Sequence, residues 1–274
     1  MKKEEAKKAI DEAVEQLAAA LQRGKSDTLT EYLAAVGRFH KYSLGNTLLI
    51  LKQKPDATRV AGFGTWKSLR RHVKRGEKGI PIIAPMICRT RTNVANHRVP
   101  VATPADVDAD TFLRFKAAHV FDVAQTEGET LPEPATFGGN PGGFTERLKD
   151  LVKSSGIHLE YSDSLGNALG VSQGGVIKLR LGLNPAEEFS TLVHELAHEM
   201  LHSKLERRDM PKPVKETEAE AVAFVVSHAI GLETGTASSD YIQLYAGSKE
   251  TLVDSLDRIQ SLASLILGKL QGNE

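Results

Sequence analysis

The segment TLVHELAHEMLH, residues 191–202, has residue types and a spacing that can bind a metal ion. Four residues along an α-helix bring a side chain back to nearly the same face, so His194 and His198 can approach one ion together. Glu195 lies one step round the helix, where it can take a proton from a water molecule rather than bind the metal. We predict a zinc site with His194 and His198 as ligands and Glu195 as the catalytic base.

A catalytic zinc site needs a third protein ligand and leaves its fourth position open. The segment VKETEAEAVAFVVSHAIG predicts a second helix, in which Glu216, Glu218 and Glu220 lie beside a strongly apolar face. Burying a carboxylate among Ala and Val side chains is costly unless a cation meets it. We predict Glu220 as the third ligand, with Glu216 as the alternative ligand or as a hydrogen-bond partner of a ligating histidine. Glu218 is expected at a solvated helix start, and His202 on the helix surface.

The elements predicted before the motif are a helix, a strand and a hairpin. The helix covers FTERLKDLVKSSG, the strand covers IHLEYSD, and the hairpin covers GVSQGGVIKLRL. Asn184, Pro185 and Glu187 then follow in the order of a capped helix start. We expect the strand VIKLRL at the edge of its sheet, where it can align an extended peptide substrate.

The first half of the chain predicts three helices and then two strands. The helices are centred on Ile10–Leu21, Thr30–Phe39 and SLGNTLLILKQ, and TWKSLRRHV is expected to form a further short helix. IPIIAPMI and AHVFDVAQ are the two strands. The Pro- and Gly-rich segment EGETLPEPATFGGNPGG follows them and is typical of a linker. The expected fold class is therefore α+β, with domains at residues 1–126 and 144–274 and a linker at 127–143.

The formal net charge of zero conceals an uneven distribution of charge. Nine basic residues and one acid lie between Thr65 and Val99, whereas acids dominate residues 100–136. Six of these basic residues, here called the basic cluster, fall close together: Lys67, Arg70, Arg71, Lys74, Arg75 and Lys78. Such a cluster can follow a phosphate backbone, and Trp66, Tyr42 and Phe63 could stack on bases. The alternatives are a solvated basic surface and aromatic side chains that belong to the core.

Cysteine content and hydropathy bear on where the chain works. Cys88 is its single cysteine, so an intrachain disulfide is excluded, and a reducing cytoplasm is expected. The N-terminal sequence lacks the apolar segment of a signal peptide, and no apolar run approaches the roughly 20 residues that cross a bilayer. We therefore expect a cytoplasmic protein without a membrane partner, whose oligomeric state the sequence leaves open.

The second half resembles a known family of peptidases. The hairpin, HELAHEMLH and the later EAEAVAF are similar to the ImmA/IrrE-like branch of the gluzincin metallopeptidases, over roughly residues 144–231. The resemblance implies a zincin-like fold and one Zn²⁺ per chain. It aligns the family's zinc ligands with His194, His198 and Glu220, and its catalytic glutamate with Glu195.

The first half carries an independent resemblance. HKYSLGNTLLILKQKPDATRVAGFGTWKSLRRHVKRGEKGIPIIAPM, followed by VFDVAQTEG, resembles the N-terminal domain of plasmid-borne ArdC-type antirestriction proteins. That domain is a single-stranded-DNA-binding domain, and its pairing with a zincin half is the architecture of the family. The resemblance implies a DNA-binding protein that protects incoming plasmid DNA from restriction.

The sequence leaves two rival functions open. In the first, the protein is a regulatory metallopeptidase that cuts a repressor or another protein substrate, and the basic half localises it on DNA. In the second, the zinc is structural and the protein coats DNA without turnover. Structural zinc usually has four protein ligands, often cysteines, so a chain with one cysteine favours a catalytic site.

Overall fold

The structure, a computed structural model, describes residues 3–23, 27–89, 111–131, 140–203, 210–232 and 248–272. Within these ranges the chain is a mixed α+β protein with small sheets and a largely helical core. Residues 90–110, and residues 132–139 of the predicted linker, lie outside the described residues. In the described ranges, each helix falls short of the length or the apolarity that crossing a membrane requires.

The first part of the chain consists of helices followed by short strands. The helices are α1 (Lys3–Gln22), α2 (Asp27–Arg38), α3 (Leu44–Gln53) and α4 (Phe63–Ser68). The strands are β1 (Val60–Gly62), β2 (Arg71–Val73), β3 (Ile80–Arg89), β4 (Thr111–Asp122) and β5 (Thr126–Gly128). β4 pairs with β1 and β3 in one antiparallel sheet, and β2 pairs with β5 in a separate ribbon. The short helix expected over TWKSLRRHV ends early, because Arg71–Val73 pairs with β5 instead.

The second part places its helices around a three-stranded sheet. Its helices are α5 (Phe144–Ser154), α6 (Pro185–Ala197), α7 (Lys212–Ala229) and α8 (Lys249–Leu270). Its strands are β6 (His158–Ser162), β7 (Gly170–Ser172) and β8 (Val176–Arg180), in the order β6-β8-β7. The hairpin of β7 and β8 is confirmed, but the expected edge position of VIKLRL is wrong. β8 is the central strand because β6 pairs with it in parallel, which leaves β7 at the edge.

Helices from both sides of the predicted linker share one hydrophobic core. Leu29 and Leu33 on α2 are fully buried in the same cluster as Phe189 on α6. Gly37 permits a close helix contact, since a Cβ atom there would lie 3.1 Å from the carbonyl oxygen of Val225 on α7. The sheet of β1, β3 and β4 has its own smaller cluster, which contains Ala35, Phe39, Ile50, Ala57, Ile80, Ile82 and Val120.

Candidate metal centre

The helix that carries the histidines begins at a well-formed cap. The Asn184 side chain accepts hydrogen bonds from the backbone amides of Ala186 and Glu187, and the Glu187 side chain accepts one from the amide of Asn184. The capped start predicted from the sequence is thereby confirmed. α6 ends at Ala197 and continues into one π-helical turn, His198–His202. Helical turns of this type occur often at functional sites.

Two histidines from this helix and one glutamate from α7 converge. The Nε2 atoms of His194 and His198 lie 3.1 Å apart. Glu216 Oε2 lies 3.5 Å from each of these nitrogens. Within the described ranges, these three residues are the group whose potential ligand atoms all lie close enough to hold a metal, within 4.8 Å of one another. The structure therefore brings together the two predicted histidines and the glutamate considered as the alternative ligand.

Glu220, expected as the third ligand, occupies a different position. Its Oε2 atom lies 3.3 Å from His194 Nδ1, the ring nitrogen that faces away from the convergence point. Glu216 and Glu220 are one helical turn apart and share a face of α7. The axial position of α7 relative to α6 therefore decides which carboxylate meets which histidine nitrogen. In this geometry Glu216 faces the Nε2 atoms of both histidines, and Glu220 faces Nδ1 of His194.

The protons on the histidine rings can be assigned from their partners. Glu220 faces Nδ1 of His194 and calls for a proton there, which leaves the lone pair on Nε2. Burial alone would lower the pKa of His194, but the carboxylates of Glu220, Glu195 and Glu216 outweigh it and raise that pKa. Burial and the neighbouring His194 lower the pKa of His198 to about 4. Acceptor atoms and negative charge thus meet at one point, which suits a divalent cation.

Glu195 lies beside this group without belonging to it. Its side chain is buried, which raises its pKa to about 7, and the charges of Glu216 and Glu199 act in the same direction against His194. Such a pKa suits a group that exchanges protons near neutral pH. Gly170 on β7 packs against it, since a Cβ atom there would lie 2.8 Å from Glu195 Cγ. The edge strand therefore touches the predicted catalytic base.

A cleft of about 660 Å³ opens over His194, His198 and Glu216. One wall is β7 and the following turn, and the other is formed by α6, the π-helical turn and the start of α7. Glu199 holds the two walls together: its carboxylate accepts hydrogen bonds from Ser172 Oγ (2.6 Å) and from the backbone amides of Gly174 (2.8 Å) and Gly175 (2.7 Å). Glu199 therefore fixes the edge strand and its turn to the helical segment that carries the histidines.

Two residues that the sequence placed at the surface are buried next to the site. The side chain of His202 is 5% exposed and that of Glu218 is 0% exposed. They are hydrogen-bonded to each other, and Glu218 also pairs with Arg258 on α8. The sequence contained one signal, a carboxylate within an apolar helix face. Its cation partner, Arg258, lies 40 residues further along the chain, on α8.

The basic cluster is only partly available for binding. The half-buried Arg71 donates from Nε to Thr126 Oγ1 (2.8 Å) and from Nη2 to the Thr126 carbonyl (3.0 Å), which joins β2 to β5. Arg70 forms an exposed ion pair with Glu129 at 3.0 Å. Lys74 reaches the Ala124 carbonyl at 2.9 Å. The side chains of the other three, Lys67, Arg75 and Lys78, are exposed.

The aromatic residues predicted to stack on bases have different environments. Trp66 is 2% exposed and donates from Nε1 to the Phe121 carbonyl at 2.9 Å, so its ring belongs to the core. Tyr42 packs against the smaller core cluster, and its hydroxyl donates to the Val60 carbonyl. Phe63, in contrast, is 57% exposed at the start of α4. Of the three rings, that of Phe63 can be approached by a base.

Comparisons with known proteins agree with this architecture. Residues 2–121 match the family model of the N-terminal domain of anti-restriction factor ArdC. The chain is 24% identical over 306 aligned positions to an uncharacterized protein of Bacillus anthracis, covering 98% of this chain. It spans 51% of that relative, about half its length.

Solved structures with a similar fold include two forms of one plasmid protein. The metal-free crystal structure of the antirestriction ArdC protein from plasmid R388 matches 97% of this chain and 98% of its own, with 15% identity and a TM-score of 0.52. Its Mn(II)-bound form matches 97% of this chain and 99% of its own, with 16% identity and a TM-score of 0.53. At these identities the similarity establishes the fold alone, and the ArdC resemblance seen in the sequence is confirmed.

Proposed function

We propose that this chain is an antirestriction-type protein with two activities. Its support is the match of residues 2–121 to the ArdC N-terminal domain and the similarity of its fold to that of plasmid ArdC. It binds single-stranded DNA, and its zincin-like second half, of the gluzincin type, has a metallopeptidase-like site. The observation that carries the proposal is the convergence of His194, His198 and Glu216 beside the buried Glu195. The family match supports the DNA-binding and antirestriction roles.

Zinc is the ion we propose, held by His194, His198 and Glu216. Two imidazole nitrogens and one carboxylate oxygen form a ligand set that zinc hydrolases use, with a position left open for water. Manganese is the competing ion, because the ArdC protein from R388 has been crystallised with Mn(II). When bound, the ion would supply Lewis-acid chemistry that activates water and polarises a carbonyl group.

The protein's own residues would carry out the remaining steps of peptide hydrolysis. Glu195 takes a proton from the attacking water and returns it to the leaving amine, as its raised pKa allows. The substrate backbone would pair with β7, the edge strand. On either side of β7, the backbone groups of Leu169 and Gln173 form hydrogen bonds with residues of β8. By alternation, the backbone groups of Gly170 point away from β8 toward the cleft. An extended peptide could therefore add to this edge as a further strand.

DNA binding is assigned to the exposed part of the basic cluster. Lys67, Arg75 and Lys78 have exposed side chains that can contact phosphates, and Arg70 can exchange its exposed ion pair for one. Phe63 lies four residues before Lys67 and presents an exposed ring for stacking. The role of Arg71 in this proposal is to hold the β2–β5 ribbon that carries the cluster.

A salt titration tests the DNA proposal. Binding of a labelled oligonucleotide should weaken linearly in log affinity against log salt, with a slope near −0.7 per phosphate contacted on single strands, by the usual counterion-release relation. Single strands should bind more tightly than duplex of equal length, because unpaired bases offer their faces to Phe63. If the protein ignores oligonucleotides at low salt, the DNA proposal fails, and a metallopeptidase with a basic substrate-docking half becomes the better account.

The variant Glu195→Gln separates the proposed function from its rivals. It should keep the metal and the fold, lose peptidase activity by roughly 100- to 10,000-fold, and bind DNA as the wild type does. In a plasmid transfer assay against a restricting recipient, retained protection would mean that proteolysis is not needed, as in the DNA-coating alternative. Lost protection with normal DNA binding would favour the regulatory peptidase.

A further inference from the structure

A chain of buried and partly buried hydrogen bonds, here called the relay, leads from the metal-facing His198 to α8. His198 Nδ1 lies 3.0 Å from His202 Nδ1, and His202 Nε2 lies 3.1 Å from Glu218 Oε2. Glu218 also accepts from Ser255 Oγ at 2.6 Å and from Arg258 Nε at 3.1 Å. Glu218 on α7 thus connects the two histidines of the π-helical turn to Ser255 and Arg258 on α8.

The partners at the far end fix the direction of every proton in this chain. Arg258 is always a hydrogen-bond donor, and its positive charge keeps the Glu218 carboxylate ionised. Glu218 can therefore only accept hydrogen bonds. His202 must then donate from Nε2, and as a neutral ring it has its lone pair on Nδ1. His198 therefore donates from its own Nδ1, which leaves the lone pair on Nε2. That atom lies 3.1 Å from His194 Nε2 and 3.5 Å from Glu216.

We propose that His202, Glu218 and Arg258 are positioning residues that hold His198 in the tautomer that presents its Nε2 lone pair to the metal. The inference extends the proposed metal site, since it concerns how one ligand of that site is prepared. None of the three residues belongs to the group that converges on the metal position. They act through His198, and their role is to make the ring ready before an ion arrives.

The composition of the network argues for such a role. A buried carboxylate paired with an arginine stabilises a fold little more than apolar side chains of the same shape would. Here the ion pair ends in a histidine that contacts a metal ligand, and the ring nitrogen that carries the proton is set by what the other nitrogen meets. The other ligating histidine is treated in the same way, because Glu220 faces Nδ1 of His194. Both rings are therefore oriented by a partner at Nδ1.

Nitrogen NMR on metal-free protein tests the inference directly. With ¹⁵N-labelled histidine at pH 8, long-range proton–nitrogen spectra should show His198 as the Nδ1–H tautomer in the wild type. In His202→Phe, which keeps a ring without its nitrogens, His198 should change to the Nε2–H tautomer or to a mixture. A His198 ring that is already Nε2–H in the wild type would overturn the proposal.

Metal affinity provides a second test, measured by competition between the protein and a chelating dye for Zn²⁺ and for Mn²⁺. Glu218→Gln should weaken binding by about 10- to 100-fold, because its NH₂ group must face either His202 Nε2–H or Arg258, a donor against a donor. Leu256→Ala is the control: it makes a cavity on α8, the helix that carries Ser255 and Arg258, and lowers thermal stability, yet should keep metal affinity within about threefold. Equal affinities in the two variants would reduce the network to a purely structural one.

The two amide replacements of His202 distinguish the two ends of the relay. Asparagine places its oxygen near the position of Nδ1 and can still accept from His198, whereas glutamine reaches the position of Nε2 and serves only Glu218. His202→Asn should therefore bind metal about tenfold more tightly than His202→Gln. Equal binding by the two variants would contradict the relay, since a packing role would not separate them in this order.

Failure of the metal site and failure of the relay give different results. If the wild type binds neither ion at micromolar concentration, the proposed metal site fails, and the tautomer of His198 in metal-free protein still decides the relay. If the wild type binds metal and the variants bind equally well, the site stands and the relay is overturned.

Discussion

The histidine segment, residues 194–202, and the basic cluster, residues 67–78, both stand out in the sequence, but folding treats them differently. The histidine segment lies on α6 and its π-helical continuation, and its rings gather at one place. The basic cluster is divided among α4, a turn, β2 and a second turn, and Arg71 is turned inward. A helix fixes the directions of residues four apart, whereas charges spread over several elements take whatever directions those elements impose.

The comparison shows that spacing within one helix is stronger evidence for a site than local charge density. Part of the basic cluster has a structural role, because Arg71 and Lys74 donate hydrogen bonds to backbone carbonyls of the Ala124–Thr126 segment. The carboxylates of α7 also contact other protein groups, but each of Glu216, Glu218 and Glu220 contacts a histidine of the same site. The following predictions test how far this difference holds.

Removing a proposed metal ligand from the histidine segment should have the largest effect. His198→Ala leaves one imidazole and one carboxylate, which should weaken Zn²⁺ binding on the order of 1,000-fold, about 4 kcal/mol, as one ligand's share of a typical zinc site. Chelator competition measures it. His158→Ala, which removes an exposed histidine on β6, serves as the control and should bind as the wild type does. Unchanged binding by the first variant would reject the metal centre.

In the basic half, the two aromatic residues should separate stability from DNA affinity. Trp66→Ala empties a buried site and loses the hydrogen bond to Phe121, so it should lower the free energy of unfolding by about 3–4 kcal/mol. Phe63→Ala should leave stability within about 0.5 kcal/mol and weaken single-stranded-DNA binding by about 1–3 kcal/mol. Denaturant unfolding and oligonucleotide titration measure the pair. The opposite pattern would make Trp66 the stacking residue.

Gly170→Ala examines whether the histidine segment depends on its neighbouring strand. The added Cβ would lie 2.7 Å from Thr191 Cγ2 and 2.8 Å from Glu195 Cγ, so β7 or the Glu195 side chain must shift. We expect a stability loss of about 1–3 kcal/mol and reduced peptidase activity with the metal retained. Gly143→Ala, where nothing lies within 4 Å of the added atom, is the control. Full activity in the first variant would show that the strand contact is dispensable.

Single substitutions within the basic cluster should give the smallest effects, and of two kinds. Arg71→Ala should lower stability by about 1–3 kcal/mol, because Thr126 and Glu129 lose their charged donor. Arg75→Ala should change stability by less than about 0.5 kcal/mol and reduce the salt slope of DNA binding by about 0.7, one phosphate contact. If the two variants proved alike in both measurements, the division of the cluster into structural and binding residues would be contradicted.

Several features could be predicted from the sequence because their causes are local. The helix cap at Asn184 is set by three adjacent residues, and the i, i+4 spacing of His194 and His198 places both rings on one face whatever surrounds them. The hairpin of β7 and β8 also follows from its own alternation and turn residues. In each case the interacting groups are a few residues apart, so the pattern contains the geometry.

Other features were decided only by tertiary packing. The parallel pairing of β6 with β8 moves VIKLRL from the edge to the centre of its sheet, and no pattern within either strand specifies that choice. Burial of Trp66 depends on β4, which follows 45 residues later. Which nitrogens of the histidines Glu216 and Glu220 contact depends on the axial position of α7 relative to α6, since both glutamates lie on the same helix face. Arg258 completes the histidine network from α8, and contacts between such distant residues are fixed by the assembled core rather than by local sequence.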